Sequence, residues 1–339
     1  MTSVRVGREV VMRYVLGFMC VLALGLVGCS ETSGTGGTAG DGGSAGSGGA
    51  GGSAGTGGSP GCVDGTLDQM VTSVDLEFDG VSRAYEIHVP PAYDGRTPFP
   101  LVLNFHGLEG NTSRQRMWTE MDATADARGY VVAYPEGRDE SWNAGVCCGT
   151  SAENEVDDVG FVRAVIEDIA KRGCIDQSRV YATGMSNGGF LSHRLACEAS
   201  DVIAAIGPVA GVLGIDSSAC MPERPVPVIH FHGTSDTIIL YEGGCPFSCL
   251  SDSESVADTI AGWVARNGCT GAPEVVPSKG SVTCETTQGC DGDASVTLCS
   301  IEGGGHCWPG QLSCEFGEST DDISANEVMF DLFDSVRLP

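Results

Sequence analysis

A serine hydroxyl becomes a useful nucleophile only when a base takes its proton, so a reactive serine needs a turn that exposes it and a base within reach. Gly184-Met185-Ser186-Asn187-Gly188 sets a serine between two glycines. The β-branched and aromatic run Arg179 to Thr183 precedes it, and the apolar-periodic stretch Phe190 to Cys197 follows. A strand, a Gly-x-Ser-x-Gly turn and a helix in that order form a nucleophile elbow, in which a side chain at either glycine would collide as strand and helix cross. Ser44, Ser53 and Ser59 match the same pattern, but they sit in a Gly/Ser-rich segment with no strand before them and no helix after. Ser186 is therefore the candidate nucleophile.

Six histidines compete for the role of base. His88 falls in an edge hairpin and His193 lies two turns down the helix that follows Ser186, while His106, His230 and His232 sit in or at the ends of strands. His306 instead lies in Gly303-Gly304-Gly305-His306-Cys307-Trp308-Pro309-Gly310, a loop after the last strand. Asp236, closing Phe231-His232-Gly233-Thr234-Ser235-Asp236 at a strand end, is the candidate orienting acid. For the oxyanion, the N–H of Asn187 and one from His106-Gly107-Leu108 are expected, Leu108 before Gly107. Trp142, Trp308 and His106 are expected to wall the substrate pocket.

These residues need a scaffold. Val71–Phe78 and Val81–Val89 alternate around Asp79-Gly80, a hairpin expected at a sheet edge. Leu101–Phe105 is an apolar run suited to a buried central strand, whose C-terminal end is where an open α/β sheet places ligands. A single helix is expected over 113–128, then a strand over 130–134, a loop over 141–149 and a helix over 157–172. Strands at 204–209, 226–231 and 294–301 and helices at 253–266 and 324–336 complete the pattern. Strands alternating with helices predict an α/β fold with a mostly parallel sheet, the N-terminal hairpin antiparallel, and helices on both faces.

The flanking composition speaks to location. Arg5, Arg8 and Arg13 precede an apolar run, Val15 to Val27, that is too short for a comfortable membrane span. Residues 1–28 thus read as an export signal. Leu26-Val27-Gly28-Cys29 resembles a bacterial lipobox, which implies a lipid on Cys29 and attachment at the cell surface or outer membrane. From 29 to 61 the chain is nearly all Gly, Ser, Thr and Ala, a flexible tether, and 62–339 forms the catalytic domain. Fourteen of the 16 cysteines remain outside the signal and the lipid position, an even number in an exported domain, which implies disulfides of unassigned pairing. Metal binding at Cys245 and Cys249 or Cys284 to Cys299 is the rival reading; the spacing does not repeat a zinc pattern, so neither metal nor cofactor is expected. The net charge of −27, about −29 without the signal, argues against nucleic acid and for a neutral substrate.

Pro100 to Gly107, Trp142-Asn143-Ala144-Gly145 with Cys147-Cys148-Gly149, Val156 to Phe161, Arg179 to Gly189 and Gly303 to Gly310 together resemble the polyhydroxybutyrate depolymerase/feruloyl esterase family of α/β-hydrolases. The order Ser186, Asp236, His306 is also the serine, acid, histidine order of that fold. The resemblance implies extracellular ester hydrolysis by a metal-free triad, with Ser186, Asp236 and His306 on its positions. The substrate it implies is a feruloylated or acetylated plant polysaccharide, or a polyhydroxyalkanoate. No polymer-adsorbing module is expected after the last helix, an expectation that favours the polysaccharide esters over crystalline polyester. The stretch Gly243 to Ser253 is longer than the family usually has and is expected to rim the pocket. A monomer acting on an ester substrate is expected, with a non-catalytic carbohydrate-binding lipoprotein as the rival from another class.

Overall fold

The computed structural model describes residues 62, 67–68, 71–244 and 250–339, and for Pro277 and Ser278 the backbone alone. The expected signal, Cys29 and the tether lie outside the described residues, as do Cys245 and Cys249. Ten strands form one sheet: β1 (Thr72–Phe78), β2 (Val81–His88), β3 (Phe99–Phe105), β4 (Val131–Pro135), β5 (Ile175–Met185), β6 (Ala205–Val209), β7 (Val228–Gly233), β8 (Glu274–Lys279), β9 (Val282–Thr287) and β10 (Val296–Ile301). Their spatial order is β1-β2-β4-β3-β5-β6-β7-β10-β9-β8. The six strands from β4 to β10 in that order run parallel, and an antiparallel pair closes each edge.

Alternation along a strand divides the apolar side chains between two cores, one on each face of the sheet. On β3, Leu101, Leu103 and Phe105 enter one core and Val102 the other. The first core is covered by α4 (Asp158–Arg172), α5 (Asn187–Glu198) and α6 (Val256–Arg266). The second is covered by α2 (Met121–Arg128) and α7 (Ala325–Ser335). Burying a Phe such as Phe190 or Phe330, both fully buried, stabilises the fold by about 1.5–3 kcal/mol. Side-chain caps start the helices where the sequence offers them: Asp157 accepts from Gly160 N–H, Ser255 from Asp258 N–H, and Ser324 from Glu327 N–H.

Two expectations need correction. The single helix over 113–128 is two helices, α1 (Thr112–Thr119) and α2, broken at Glu120 with φ 45°. The break frees the Thr119 carbonyl, which accepts from Asn326 Nδ2 at 2.8 Å and Gln311 Nε2 at 3.2 Å, bonds that a continuous helix would have used internally. It also lets Gln115 and Thr119 satisfy Asn104, a buried amide on β3. Second, the edge hairpin of β8 and β9 was not expected, because Pro277 interrupts its first strand and the alternation is short. The 141–149 loop runs into a short helix, α3 (Gly149–Glu153). Among the described residues six disulfides join Cys62–Cys174, Cys147–Cys148, Cys197–Cys220, Cys269–Cys290, Cys284–Cys299 and Cys307–Cys314. Cys284 and Cys299 are therefore bonded to each other rather than to a metal.

Candidate active site

Ser186 stands between the end of β5 and the start of α5 with φ 57° and ψ −123°, a conformation that few non-glycine residues adopt. Its surroundings hold it there: Ser186 N–H donates to the Val209 carbonyl and its carbonyl accepts from Phe190 N–H, both at 2.9 Å. A Cβ on Gly188 would lie 2.2 Å from the Phe105 carbonyl oxygen, and one on Gly184 would lie 2.6 Å from the same atom. The two glycines are thus required by the close approach of β3 and α5.

The Asp236 carboxylate is held at the end of β7. Its Oδ1 accepts the N–H groups of Ile238 and Ile239 at 2.8 and 2.9 Å, and Oδ2 accepts from His306 Nδ1 at 2.7 Å. Burial is the strongest influence on this carboxyl and pushes its pKa up, but the hydrogen bond and charge of His306, with His232 and the Ile238 N–H, bring it below the usual value. His306 is pinned through its own backbone to Phe316, and the Cys307–Cys314 disulfide ties the loop beside it. Ser186 and His306 line one cavity of about 390 Å³. Among the described residues no hydrogen bond joins the Ser186 hydroxyl to the His306 ring; such contacts are often long in a free enzyme and tighten with substrate.

Gly107 and Leu108 line that cavity, and a Cβ on Gly107 would lie 3.2 Å from Ser186 Cβ. Asn187 opens α5, so its N–H has no partner within the helix and points with the positive end of the helix dipole. Asn187 itself is buried, its side chain paired twice with the Trp142 backbone: Trp142 N–H donates to Oδ1 at 2.7 Å and Nδ2 donates to the Trp142 carbonyl at 3.0 Å.

Three expectations about the pocket change. Trp142 is fully buried and lines no part of the cavity; its indole N–H donates to the His106 carbonyl at 2.9 Å. One residue thereby links the end of β3 to the start of α5, the two segments that carry the candidate oxyanion donors. His106 is 1 % exposed and also absent from the cavity wall. Its Nε2 accepts from Gly137 N–H and its Nδ1 donates to the Gly107 carbonyl, so it clamps the loop before Leu108. Burial pushes its pKa down to about 4, which keeps the ring neutral with one donor and one acceptor. Thirdly, the described part of 243–253 does not line the cavity; Leu250 N–H bonds to the Val146 carbonyl instead.

Trp308 does reach a wall, in an adjoining lobe of about 300 Å³ that shares Trp118, Met185, His306, Glu315 and Phe316 with the first. Asn326 fixes its indole N–H at 2.9 Å. Trp118, Met185 and Phe316 were missed from sequence: Trp118 sits beside Met117 with no helical period to orient it, and Phe316 lies in an irregular loop. Also missed were Arg83 and Asp158, a buried ion pair at 2.9 Å in which Asp158 additionally accepts Asn143 N–H, bracing the loop that carries Trp142. Among the described residues no cluster of three or more His, Cys, Asp or Glu side chains is arranged to hold a metal ion.

Comparison with known proteins bears on this geometry. Residues 83–244 match the family model described as Esterase PHB depolymerase. Feruloyl esterase B of Piromyces equi is 33% identical over 238 residues, 66% of this chain, and the chain spans 42% of that relative's length. The putative esterase NocK of Nocardia uniformis subsp. tsuyamanensis is 30% identical over 262 residues, covering 72% of this chain and 75% of its own. In structure, an acetyl xylan esterase from Aspergillus awamori superposes with a TM-score of 0.54 at 18% identity, covering 78% of this chain and 99% of its own, which supports the α/β-hydrolase fold. This chain belongs to the PHB depolymerase/feruloyl esterase family of carboxylic ester hydrolases.

Proposed function

We propose that the chain is a secreted serine esterase that cleaves feruloyl or acetyl esters of plant polysaccharide through an acyl-enzyme. The observation that carries this reading is the Asp236–His306 contact at 2.7 Å beside a cavity that Ser186 also lines. His306 Nε2 takes the Ser186 proton as the oxygen attacks the ester carbonyl, and Asp236 holds the ring with its proton on Nδ1 and stabilises the imidazolium. The N–H groups of Leu108 and Asn187 receive the oxyanion, His306 protonates the departing alcohol, and a water activated by the same ring releases the acid. The second lobe, with Trp118, Trp308 and Phe316 around it, offers aromatic surface for a ferulate ring.

Initial rates on methyl ferulate, acetylated xylan and p-nitrophenyl acetate test the proposal, with Ser186→Ala expected to lower kcat by about 10⁵ to 10⁶. A loss under about tenfold would remove Ser186 from the mechanism. The family model's description favours one second reading, short-chain polyester hydrolysis. A soluble hydroxybutyrate oligomer cleaved faster than methyl ferulate would establish it. The lipobox-like Leu26-Val27-Gly28-Cys29 supports tethering through Cys29, and the six disulfides among the described residues fit an oxidising exterior. Fatty-acid labelling that Cys29→Ala abolishes, with release of the protein to the medium, is the expected result.

A further inference from the structure

Three histidines that the mechanism above does not use form a continuous string in the core. His193 and His230 are fully buried and His232 is 1 % exposed. Trp263 Nε1 donates to His193 Nδ1 at 2.9 Å, His193 Nε2 lies 3.3 Å from His230 Nδ1, and His230 Nε2 lies 3.2 Å from His232 Nδ1. His232 Nε2 then meets the Ile239 carbonyl at 2.9 Å and Asp236 Oδ2 at 3.5 Å. The elements involved are α6, α5, β7 and the turn after β7, so the string crosses the core from the buried Trp263 on α6 to Asp236.

The direction of the string follows from the chemistry of its ends. An indole N–H can only donate, and a carbonyl or carboxylate oxygen can only accept. Each neutral imidazole has one donor and one acceptor, so every ring must take a hydrogen bond on Nδ1 and give one from Nε2. An added proton anywhere would set two N–H groups against each other, at Trp263 or at the next ring. The groups facing the string are Asp236, His306 and Tyr241 around His232, and Arg266 with the Gly211 carbonyl near His193. Burial acts first on all three rings and lowers their pKa values, in keeping with a neutral string.

We propose that Trp263, His193, His230 and His232 are a one-way donor relay that positions Asp236, fixing the 236–239 turn and presenting a hydrogen to the Oδ2 atom that also binds His306. His232 is a positioning residue, and Trp263 is the distant donor that sets its tautomer. Without Trp263 the string can reverse, with His193 turning an N–H toward the Gly211 carbonyl. His232 would then offer a lone pair to the Ile239 carbonyl and to a carboxylate. The proposal rests on the triad reading, because the relay has a catalytic effect only if Asp236 orients His306.

The test has two arms. In the full chain carrying Ser186→Ala, ¹⁵N spectra of the histidine rings should show His193, His230 and His232 as neutral rings protonated on Nε2, with no titration between about pH 5 and 8. A ring protonated on Nδ1, or one titrating in that window, overturns the relay. In the active chain, Trp263→Phe and His232→Phe should each lower kcat by about tenfold, the rate equivalent of the hydrogen bond that fixes the 236–239 turn, with KM nearly unchanged. Both should also move the acid limb of the kcat/KM profile to higher pH, because an Asp236 that no longer has the His232 N–H turned toward it at 3.5 Å holds the His306 imidazolium more tightly. His232→Gln, which keeps a donor near Asp236, should recover most of the rate. Profiles that superimpose on that of the parent chain overturn the relay even if the variants are less stable. Loss of stoichiometric phosphonate labelling at Ser186 in the parent chain would instead refute the triad, and would leave the ring tautomers as found.

Discussion

Asp236→Asn is a nearly isosteric change whose outcome the structure decides. The Oδ1 atom accepts two backbone N–H groups, from Ile238 at 2.8 Å and Ile239 at 2.9 Å. An asparagine must therefore keep its carbonyl on that side, since turning its NH₂ toward two buried N–H donors would leave both unpaired, at about 1–3 kcal/mol each. Its NH₂ then faces His306 Nδ1, now 2.7 Å from Oδ2, and the ring can pair with it only by moving its own proton to Nε2. A neutral ring so protonated cannot accept the Ser186 proton. The expected result is a kcat lower by about 10⁴, or roughly 5.5 kcal/mol in the barrier, with KM and the thermal midpoint little changed. Steady-state rates on p-nitrophenyl acetate with a parallel melting curve measure both. A loss below about tenfold in a well-folded variant would show that Asp236 does not set the tautomer of the base, and the triad assignment would fall with it.

Trp142→Phe keeps the ring packing but removes the donor to the buried His106 carbonyl, so a loss of about 1–3 kcal/mol in stability is expected. The linkage of Trp142 to both candidate oxyanion segments predicts a fall in kcat as well; denaturant titration beside steady-state rates separates the two, and an unchanged kcat refutes the linkage. Stability should fall as pH drops below about 6.5, because burial lowers the pKa of His106 to about 4, of His193 to about 3, and those of His230 and His232 as well. The unfolded chain binds protons that the folded chain refuses, so each such ring costs up to about 1.4 kcal/mol per pH unit between its unfolded and folded values. A urea midpoint that stays flat from about pH 7 to 5 would contradict this. Trp118→Ala removes aromatic surface shared by both lobes of the cleft. It should cut kcat/KM for methyl ferulate by about tenfold more than for p-nitrophenyl acetate, and equal losses would take the ring out of acyl recognition.

The site was legible in the sequence to the extent that local rules dictate it. Ser186 follows from a strand, two obligatory glycines and a helix, all within one short window. Asp236 and His306 follow from their positions at the ends of β7 and β10, where topology alone sends them to one edge. What the sequence did not show are contacts that cross the fold. Trp142 reads from sequence as a loop aromatic free to face substrate, and only the arrangement of β3 beside α5 shows that its indole and backbone are consumed in joining them. The α1–α2 break was invisible for the same reason, because the partners of the Thr119 carbonyl, Asn326 and Gln311, come from about two hundred residues away.

The same distinction explains where the polar groups of the core went. Read one at a time, His193, His230 and His232 are strand and helix histidines with no task and His106 is a pocket wall, yet all four are buried, and a buried unpaired imidazole would be costly. In the fold each ring nitrogen of the four has a partner, and both sets of contacts end beside residues of the candidate site. His106 ends on the Gly107 carbonyl next to Leu108, and the three-ring string ends on Asp236. A core that needed only to be stable would be served as well by apolar residues of similar volume. Directional groups that transmit a fixed orientation over several ångströms are of use where the atom at the end must not turn, and here those atoms belong to the loop of the candidate oxyanion donor and to the candidate acid, Asp236.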